Sequence, residues 1–477
     1  MASKPQTFIS PLHSKPRALR ISCCLPIKQA RNDQTTSSNK APAGLRVAFA
    51  AGGTGGHIYP AVAIADELKL VNPTSEFLFL GRPNSMESAA IPSAHFKFKS
   101  IPAVQLARPF FSLRNLLLPY LLIKSIIKCY VLLSRFRPHV VIGTGGYVSF
   151  PVCLAALLRG SRVVIQEQNS VPGIANTVLS LFADLVFVAF NSTVESFPRK
   201  EKCVVCGNPV RLSLKGSVTK AVSRSHFFPW LERMEDSPEE IKVILVLGGS
   251  LGANALNIAL LHVYSQLLLE HKNWFIIWQT GVHSFDEMES LVRSHRRLLL
   301  TPFLHSMDMA YAAADVIVSR AGAMTCSEIL ATGKPAILVP SPNVAEGHQH
   351  RNASLMADVA GSRVITEDEL DSTTLGTAIS EILGNERLLA DMSERALKAA
   401  KPDASSEIAK HILSLVNLSR VKGTGKKVDG LPYSLSRLNP QNGIGRNLRY
   451  CFLGVFVCGF NLSIFVSRPL RVLRVPR

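Results

Sequence analysis

The chain has 477 residues, of which 47% are hydrophobic and 18% are charged; this excludes a disordered protein and allows two globular domains with extensions. The formal net charge is +19, but residues 1–44 contribute +6 and residues 420–477 contribute +10, so the core between them is nearly balanced. We therefore expect no nucleic-acid partner for the core.

Residues 1–44 are rich in Ser, Thr, Lys and Arg, contain one acidic residue and lack a long apolar stretch. This composition is typical of an organelle transit peptide, and it favours a plastid over a mitochondrion. A disordered N-terminal tail is the alternative. The preferred interpretation predicts a chloroplast protein, and residues 420–477 form a basic and apolar tail of unknown role.

From residue 45 onward, short runs of Val, Ile, Leu and Phe alternate with segments of helical length. The alternation stops in the polar stretch 212–240 and then resumes. Runs that are apolar on both faces are typical of buried parallel strands. We predict two doubly wound α/β domains, 45–211 and 241–419, joined by a linker at 212–240 and facing a central ligand cleft.

Two apolar segments are membrane candidates. The first, 116–133, contains Lys124 and Lys128, which share one helix face, so an interfacial helix is favoured over a spanning one. An ordinary core helix with solvated lysines is the alternative. The second, 450–467, is uncharged but holds Gly, Asn and Ser, and is either a weak anchor or an unstructured tail.

Nine cysteines are scattered along the chain without a disulfide framework. Cys203 and Cys206 have the spacing of half a zinc or redox site, but no second Cys pair or His pair follows at ligand spacing. We expect core cysteines and no metal site.

Three glycine-rich turns each follow a predicted strand, at 52–57, 143–147 and 248–253. Glycine lets backbone N–H groups approach a phosphate, and the start of the next helix adds partial positive charge. Neither the dinucleotide-binding fingerprint nor a P-loop occurs, which disfavours an NAD enzyme and a P-loop NTPase. No Asp-x-Asp sequence is present to hold a divalent metal, so no cofactor is expected.

Six motifs occur in this order: AAGGTGGHIYPAVAIADEL, GTGGYVSFP, QEQNSVPGIAN, GNPVR, GGSLGANALN and SRAGAMTCSEILATGKPAILVP. Together they resemble the MurG type of glycosyltransferase over residues 45–419. That family transfers N-acetylglucosamine (GlcNAc) from UDP-GlcNAc to undecaprenyl-pyrophosphate-linked muramyl-pentapeptide, which converts lipid I to lipid II in peptidoglycan synthesis. The resemblance implies a GT-B fold of two Rossmann-like domains, the first facing acceptor and membrane and the second binding donor.

The resemblance also implies the donor-binding residues. Arg211 and Ser250 would contact the donor, the backbone of Leu304 would lie against uracil, and Glu328 would accept the ribose hydroxyls. Asn169 and Gln349 would hold the sugar hydroxyls. The remaining residues are those of the two helix starts that face the donor: Thr54, Gly55, Gly56, Ala323, Met324, Thr325, Cys326 and Ser327.

An inverting transfer needs a general base at the acceptor's 4-hydroxyl. His57 is the first candidate, because it ends the first glycine turn and histidine titrates near neutral pH. Glu167 is the second. Three positions depart from the family pattern: Leu251 and His348 stand where the family usually has Gln, and Gln166 replaces a usual His.

Three other functions remain open at this point. A plastid UDP-galactose:diacylglycerol galactosyltransferase belongs to the same superfamily and would differ in donor choice. A catalytically impaired membrane-associated scaffold could retain the fold, and a UDP-GlcNAc epimerase could share it. The expected partners of the preferred transferase are UDP-GlcNAc, a polyprenyl-pyrophosphate-linked acceptor and the stromal face of a plastid membrane, to which it would bind peripherally.

Overall fold

The computed structural model describes residues 44–103, 105, 112–216, 218–233, 240–249, 251–344 and 347–423. The predicted transit peptide, apart from Gly44, and the predicted anchor at 450–467 lie outside these residues. Ser250 also lies outside them.

The first domain is a seven-stranded parallel sheet in the order β3-β2-β1-β4-β5-β6-β7. Its strands are β1 (Arg46–Ala50), β2 (Glu76–Gly81), β3 (Lys97–Ser100), β4 (Val140–Gly143), β5 (Arg162–Glu167), β6 (Leu185–Val188) and β7 (Cys203–Val205). The helices between them are α1 (Gly55–Val71), α2 (Met86–Ser93), α3 (Leu118–Phe136), α4 (Gly146–Arg159), α5 (Ile174–Ser180) and α6 (Asn191–Val194).

The second domain is a six-stranded parallel sheet in the order β10-β9-β8-β11-β12-β13. Its strands are β8 (Lys242–Leu247), β9 (Trp274–Gln279), β10 (Leu298–Thr301), β11 (Val316–Ser319), β12 (Ala336–Leu338) and β13 (Arg363–Val364). The helices that follow residue 211 are α7 (Lys220–Phe227), α8 (Asn254–Glu270), α9 (Phe285–Leu291), α10 (Met307–Ala313), α11 (Ala323–Thr332), α12 (His348–Ala360), α13 (Ser372–Leu383), α14 (Glu386–Ala399) and α15 (Ala404–Gly423).

Both sheets are covered on two faces, which explains why their inner strands read as continuous apolar runs. Every residue of β4, β6, β9 and β11 is buried. Strand order reverses between β1 and β4 in the first sheet and between β8 and β11 in the second. Ligands of open α/β sheets bind outside the carboxyl ends of the strands at such a reversal. The three glycine-rich turns follow β1, β4 and β8, so all three occupy these positions.

The predicted linker at 212–240 is corrected by the structure, because most of it packs on the second domain. Helix α7 lies here, and its Arg224 guanidinium is 2.6 Å from the Asp315 carboxylate. Phe228 is buried, and its ring centroid is 5.0 Å from that of Phe275. The sequence did not indicate helix α7, because this stretch is polar and contains prolines.

The predicted boundary at 419 also needs correction, because the last helix returns to the first domain. Ile408, Ala409 and Ile412 of α15 are fully buried in the core that α1 and β1 also line. The chain therefore crosses between the domains twice, once before α7 and once before α15.

Helix α3, with the turn before it, is the one segment of the described residues that is long and apolar enough to cross a membrane. Only Ser125, Cys129 and Leu133 of α3 are buried, one helical turn apart, in a stripe that faces α4. Apolar side chains elsewhere on the helix are exposed, including Tyr120 at 64% and Ile127 at 59%. This exposure does not fit an ordinary core helix.

Candidate active site

The first two glycine turns interlock at the edge of the first sheet. Gly146 has a φ of +74°, and a Cβ built on it would lie 2.3 Å from the Gly52 carbonyl oxygen. Gly145 has a φ of +104°, and its Cβ would lie 2.8 Å from His57 Nδ1. Any other residue at either position would separate the turns. The glycines thus bring the second turn against the first around one imidazole.

His57, predicted as the first candidate base, is held through one ring nitrogen. Its Nδ1 lies 2.9 Å from the Thr144 carbonyl oxygen and 3.0 Å from Gln168 Oε1. Both atoms are acceptors, so Nδ1 carries the proton and the lone pair of the neutral ring lies on Nε2. The Thr144 hydroxyl also donates to the His57 carbonyl oxygen at 2.7 Å. The geometry fits a base that accepts a proton on Nε2.

Glu167, the second candidate base, is buried and already bonded by its own loop. Its Oε1 accepts from Asn169 N–H and Nδ2, at 3.0 and 3.1 Å. Its Oε2 accepts from Gly173 N–H at 3.1 Å and from Asn176 Nδ2 at 2.8 Å. A carboxylate with four donors is a scaffold for the loop 168–173, and His57 is therefore the better base.

Glu87 is a functional-site residue that the sequence analysis missed. It is fully buried on α2, and its two oxygens accept from the N–H groups of Gly53 and Arg82, at 3.4 and 3.1 Å. A Cβ on Gly52 would lie 2.6 Å from the same carboxylate. Glu87 stabilises the first glycine turn through these hydrogen bonds. No feature of the local sequence distinguishes Glu87 from a solvated helix residue.

The second domain contributes the start of α11. Gly322 precedes the helix and has no side chain to cap it, and the Cys326 N–H is the one that bonds to the Gly322 carbonyl oxygen at 2.9 Å. The N–H groups of Ala323, Met324 and Thr325 are therefore free of intrahelical bonds. Uncapped amides and the helix dipole make this end chemically suited to an anion.

The side chains of this helix start differ in what they face. Cys326 is fully buried in the core, and burial raises the pKa of its thiol to about 12, so only its backbone could meet a donor. Ala323 and Met324 are nearly buried. Ser327 is half-buried, and its hydroxyl accepts from Asn208 Nδ2 of the first domain at 2.9 Å. Thr325 is the half-buried side chain of the first turn.

Arg211 and Glu328, predicted on separate motifs, meet across the cleft. Arg211 Nε is 3.5 Å from Glu328 Oε1, and the guanidinium lies over the Tyr59 ring at 3.7 Å from its centroid. The other Glu328 oxygen accepts from the Tyr311 hydroxyl at 2.9 Å. Burial raises the pKa of Glu328, while Arg211 and Tyr311 oppose that rise. Tyr59 and Tyr311 were not predicted.

A glutamine at the end of β9 organises the predicted uracil end of the cleft. Gln279 Nε2 donates to the Gly249 carbonyl oxygen at 2.9 Å, and Gln279 Oε1 accepts from the Leu304 N–H at 3.2 Å. The backbone of Leu304 was expected to lie against uracil, and its N–H is bonded within the protein. A polar residue at the carboxyl end of a buried strand was the available sequence signal for Gln279.

The remaining predicted residues lie in or near the same loops. Thr54 is exposed at the start of α1, followed by the half-buried Gly55 and Gly56, and its side chain makes no cap bond. Asn169 bonds to Glu167, as described above. Gln349 is half-buried in the first turn of α12, where its Oε1 accepts from the Ser341 N–H at 2.9 Å.

Buried polar contacts join the two domains beside the cleft. The Ser170 N–H and hydroxyl both donate to Asn352 Oδ1, at 3.2 and 2.8 Å. Asn352 Nδ2 in turn donates to the Ala321 carbonyl oxygen just before α11, at 3.1 Å. Gln166, at a departure from the family pattern, donates to Asn208 within the first domain at 3.1 Å, and Asn208 donates to Ser327 of α11. The start of α11 is thereby fixed relative to the first domain.

Comparison with known proteins identifies the family. Residues 47–188 match the N-terminal domain of glycosyltransferase family 28, and residues 243–408 match its C-terminal domain. The UDP-N-acetylglucosamine--N-acetylmuramyl-(pentapeptide) pyrophosphoryl-undecaprenol N-acetylglucosamine transferase of Salinibacter ruber is 39% identical over 383 residues, covering 80% of this chain and 99% of that protein.

Solved structures agree. The MurG structure from Acinetobacter baumannii is 28% identical with a TM-score of 0.57, covering 78% of this chain and 99% of that one. A UDP-GlcNAc 2-epimerase from Neisseria meningitidis bound to UDP-GlcNAc has a TM-score of 0.54 at 14% identity, covering 78% of this chain and 100% of that one, and so shares the fold alone. The predicted fold of two doubly wound, Rossmann-like domains is confirmed. The chain belongs to glycosyltransferase family 28 and, within it, to the MurG type.

Proposed function

We propose that the protein transfers GlcNAc from UDP-GlcNAc to the 4-hydroxyl of a polyprenyl-pyrophosphate-linked muramyl-pentapeptide. The observation that supports this most is its 39% identity, over 80% of this chain and 99% of the relative, to a transferase named for that reaction. The galactolipid and epimerase functions lack a comparable relative among the proteins described above.

The reaction is a single inverting displacement. The acceptor hydroxyl oxygen attacks the anomeric carbon, the bond from that carbon to the phosphate oxygen breaks, and UDP leaves with the bonding electron pair. His57 Nε2 takes the hydroxyl proton, because Nδ1 is committed to Thr144 and Gln168. Thr144 and Gln168 act as positioning residues that fix the tautomer and ring orientation.

Two groups of the cleft suit the negative charge that develops on the leaving diphosphate. One is the uncapped start of α11, and the other is Arg211, whose buried Nε makes only the long 3.5 Å ion pair with Glu328 in the described residues. Backbone amides and a guanidinium neutralise the charge in this proposal, so the reaction needs no divalent metal on the diphosphate. Glu328 then accepts the ribose hydroxyls.

The direct test is transfer of labelled GlcNAc to a short-chain lipid I analogue without added Mg²⁺ or Mn²⁺, with UDP-galactose as the parallel donor. We expect transfer from UDP-GlcNAc and at least a hundredfold lower rate from UDP-galactose. A preference for UDP-galactose with diacylglycerol as acceptor would favour the galactosyltransferase. Donor binding without any turnover would favour the catalytically impaired scaffold.

Helix α3 has an exposed face that could contact a membrane. The exposed apolar face of α3 lies beside Lys124 and Lys128, which are also exposed, so the helix offers apolar and cationic groups to an anionic lipid surface. We propose peripheral binding through this face. Double substitution Ile123→Glu/Ile127→Glu should reduce cosedimentation with anionic vesicles at least tenfold. Leu269→Glu, at an 80% exposed position of α8, is the matched control and should bind as before.

The proposed location is the stroma of a chloroplast, on the stromal face of a plastid membrane, and it follows from the composition of residues 1–44. Residues 1–44 fused to a fluorescent protein should direct it into chloroplasts. Fluorescence retained in the cytosol, or directed to mitochondria, would contradict this location.

A further inference from the structure

A cluster of potential metal ligands lies outside the cleft, where α15 crosses the first domain. The Cys206 sulfur, a Glu407 carboxylate oxygen and a His411 ring nitrogen all lie within 4.8 Å of one another. Cys206 is buried directly after β7, while Glu407 is exposed and His411 half-buried on α15. The cleft chemistry uses none of these residues.

The spacing of the ligands suits a helix-borne chelate. Glu407 and His411 are four residues apart on α15, so their side chains lie on the same helix face, one turn apart. The third ligand comes from the opposing strand end, and the His411 ring is 5.8 Å from the ring of Phe187. In tetrahedral zinc sites the bond lengths put ligand atoms about 3.3–3.6 Å apart. The ligand atoms must therefore move closer than 4.8 Å to bind one ion, and rotation of the exposed Glu407 and half-buried His411 side chains allows this.

We propose that Cys206, Glu407 and His411 bind one Zn²⁺ ion, with water as the fourth ligand, and that this ion fastens α15 to the first domain. A thiolate, an imidazole and a carboxylate are ligands that zinc accepts together, whereas Mg²⁺ and Ca²⁺ prefer oxygen ligands alone. Binding requires loss of the Cys206 thiol proton, which leaves to solvent.

The proposed site is adjacent to the interdomain segment. Gly207 has a φ of +88° and packs against Lys401, just before α15, so that a Cβ on Gly207 would lie 2.7 Å from the Lys401 Cβ. Asn208, the next residue, donates to Ser327. A bound ion would therefore hold the C-terminal helix at the point where the chain leaves the first domain. Its role is structural, and it is separate from the transfer chemistry.

The test uses the full chain, stripped with a chelator, reloaded with ZnCl₂ and desalted before metal analysis. We expect one retained zinc per chain, a melting temperature that rises with zinc concentration, and a thiolate-to-cobalt charge-transfer band in the near ultraviolet when Co²⁺ replaces zinc. Cys206→Ser and His411→Gln should each weaken zinc binding at least tenfold. Cys203→Ser and His350→Gln are the matched controls and should bind zinc as the unchanged protein does.

The outcomes separate the proposal from its rivals. Absence of retained zinc, a cobalt complex without the thiolate band, or unchanged affinity in Cys206→Ser and His411→Gln would overturn it. Urea unfolding of each metal-free variant checks the fold, and His411→Gln, at a half-buried helix position, carries the test if Cys206→Ser fails to fold. Transfer activity is not the readout, so failure here leaves the proposed reaction standing.

Discussion

The carboxyl edges of the two sheets carry similar strand–glycine–helix turns but satisfy their polar groups differently. At the first edge, His57, Gln168 and Thr144 bond to one another, and Glu87 braces the turn from behind. At the second edge, α11 begins after Gly322 with no side-chain cap. Helices α1 and α4 of the first edge also begin without a side-chain cap, so the difference lies in the side chains: a hydrogen-bonded network fixes one imidazole at the first edge, whereas α11 carries Glu328, which pairs with Arg211. We therefore propose acid–base chemistry at the first edge and diphosphate binding at the second.

The largest effect expected from this comparison is at His57. His57→Ala should lower kcat about 10²- to 10⁴-fold, the usual contribution of a general base, because the proposed proton acceptor, Nε2 of the ring, is lost. Single-turnover transfer to the lipid I analogue measures it. Near-normal turnover with intact UDP binding would remove His57 from the mechanism.

A negative charge at the second edge should weaken donor binding. Thr325→Asp adds a carboxylate to the first turn of α11, where it competes with the diphosphate for the amides and the dipole. We expect the Kd of UDP to rise about tenfold, which corresponds to about 1.4 kcal/mol, while the free protein becomes slightly more stable. Titration calorimetry and urea unfolding measure the two effects, with Thr325→Asn as the neutral control. Equal Kd values in both variants would argue against an anion site here.

The network at the first edge should matter less than the base itself. Gln168→Leu removes one acceptor of His57 Nδ1 but leaves the Thr144 carbonyl oxygen in place. We expect kcat to fall about tenfold, in line with loss of a positioning hydrogen bond of about 1.4 kcal/mol. The KM for UDP-GlcNAc should stay unchanged. A selective rise in KM would assign Gln168 to donor binding instead.

The smallest effect concerns the pH dependence of stability at the second edge. Burial raises the pKa of Glu328, so the folded state holds its proton to a higher pH than the unfolded state does. Stability from this group is therefore present at low pH and is lost as the pH rises through the raised pKa. Relative to Glu328→Gln, the unchanged protein should lose stability as the pH rises from the ordinary glutamate value of 4.5 through the raised pKa. A series of urea unfolding curves at increasing pH measures the difference, and the opposite slope would contradict the pKa direction.

Much of the fold follows from local patterns. Continuous apolar runs identified most strands of both sheets, but the edge strands β3 and β13 contain charged residues and gave no such run. Turns rich in glycine marked the edge proposed to bind ligands. The linker and the final helix were misassigned because packing decided them: Phe228 and Ile412 are buried by partners far away in sequence. The local composition of these segments does not indicate which distant residues bury them.

The site divides in the same way. The motifs indicated Arg211 and Glu328 as site residues, but they did not predict that the two side chains meet across the cleft. Nothing in the local sequence pointed to Tyr59 and Tyr311. Glu87 looks like any helix carboxylate until its buried position is known. The spacing of Cys203 and Cys206 indicated no metal site, because the neighbours of Cys206 lie on α15. Sequence patterns are a good guide to groups that act through the backbone. They are a poorer guide to side chains that tertiary contacts bring together.

The division of labour between the two edges can be tested most directly by the Kd of UDP for His57→Ala, measured by titration calorimetry beside the unchanged protein. We expect equal Kd values within about twofold, because we propose that α11, Arg211 and Glu328 hold the donor. A tenfold weaker Kd in His57→Ala would place the histidine in donor binding and contradict the separation of roles.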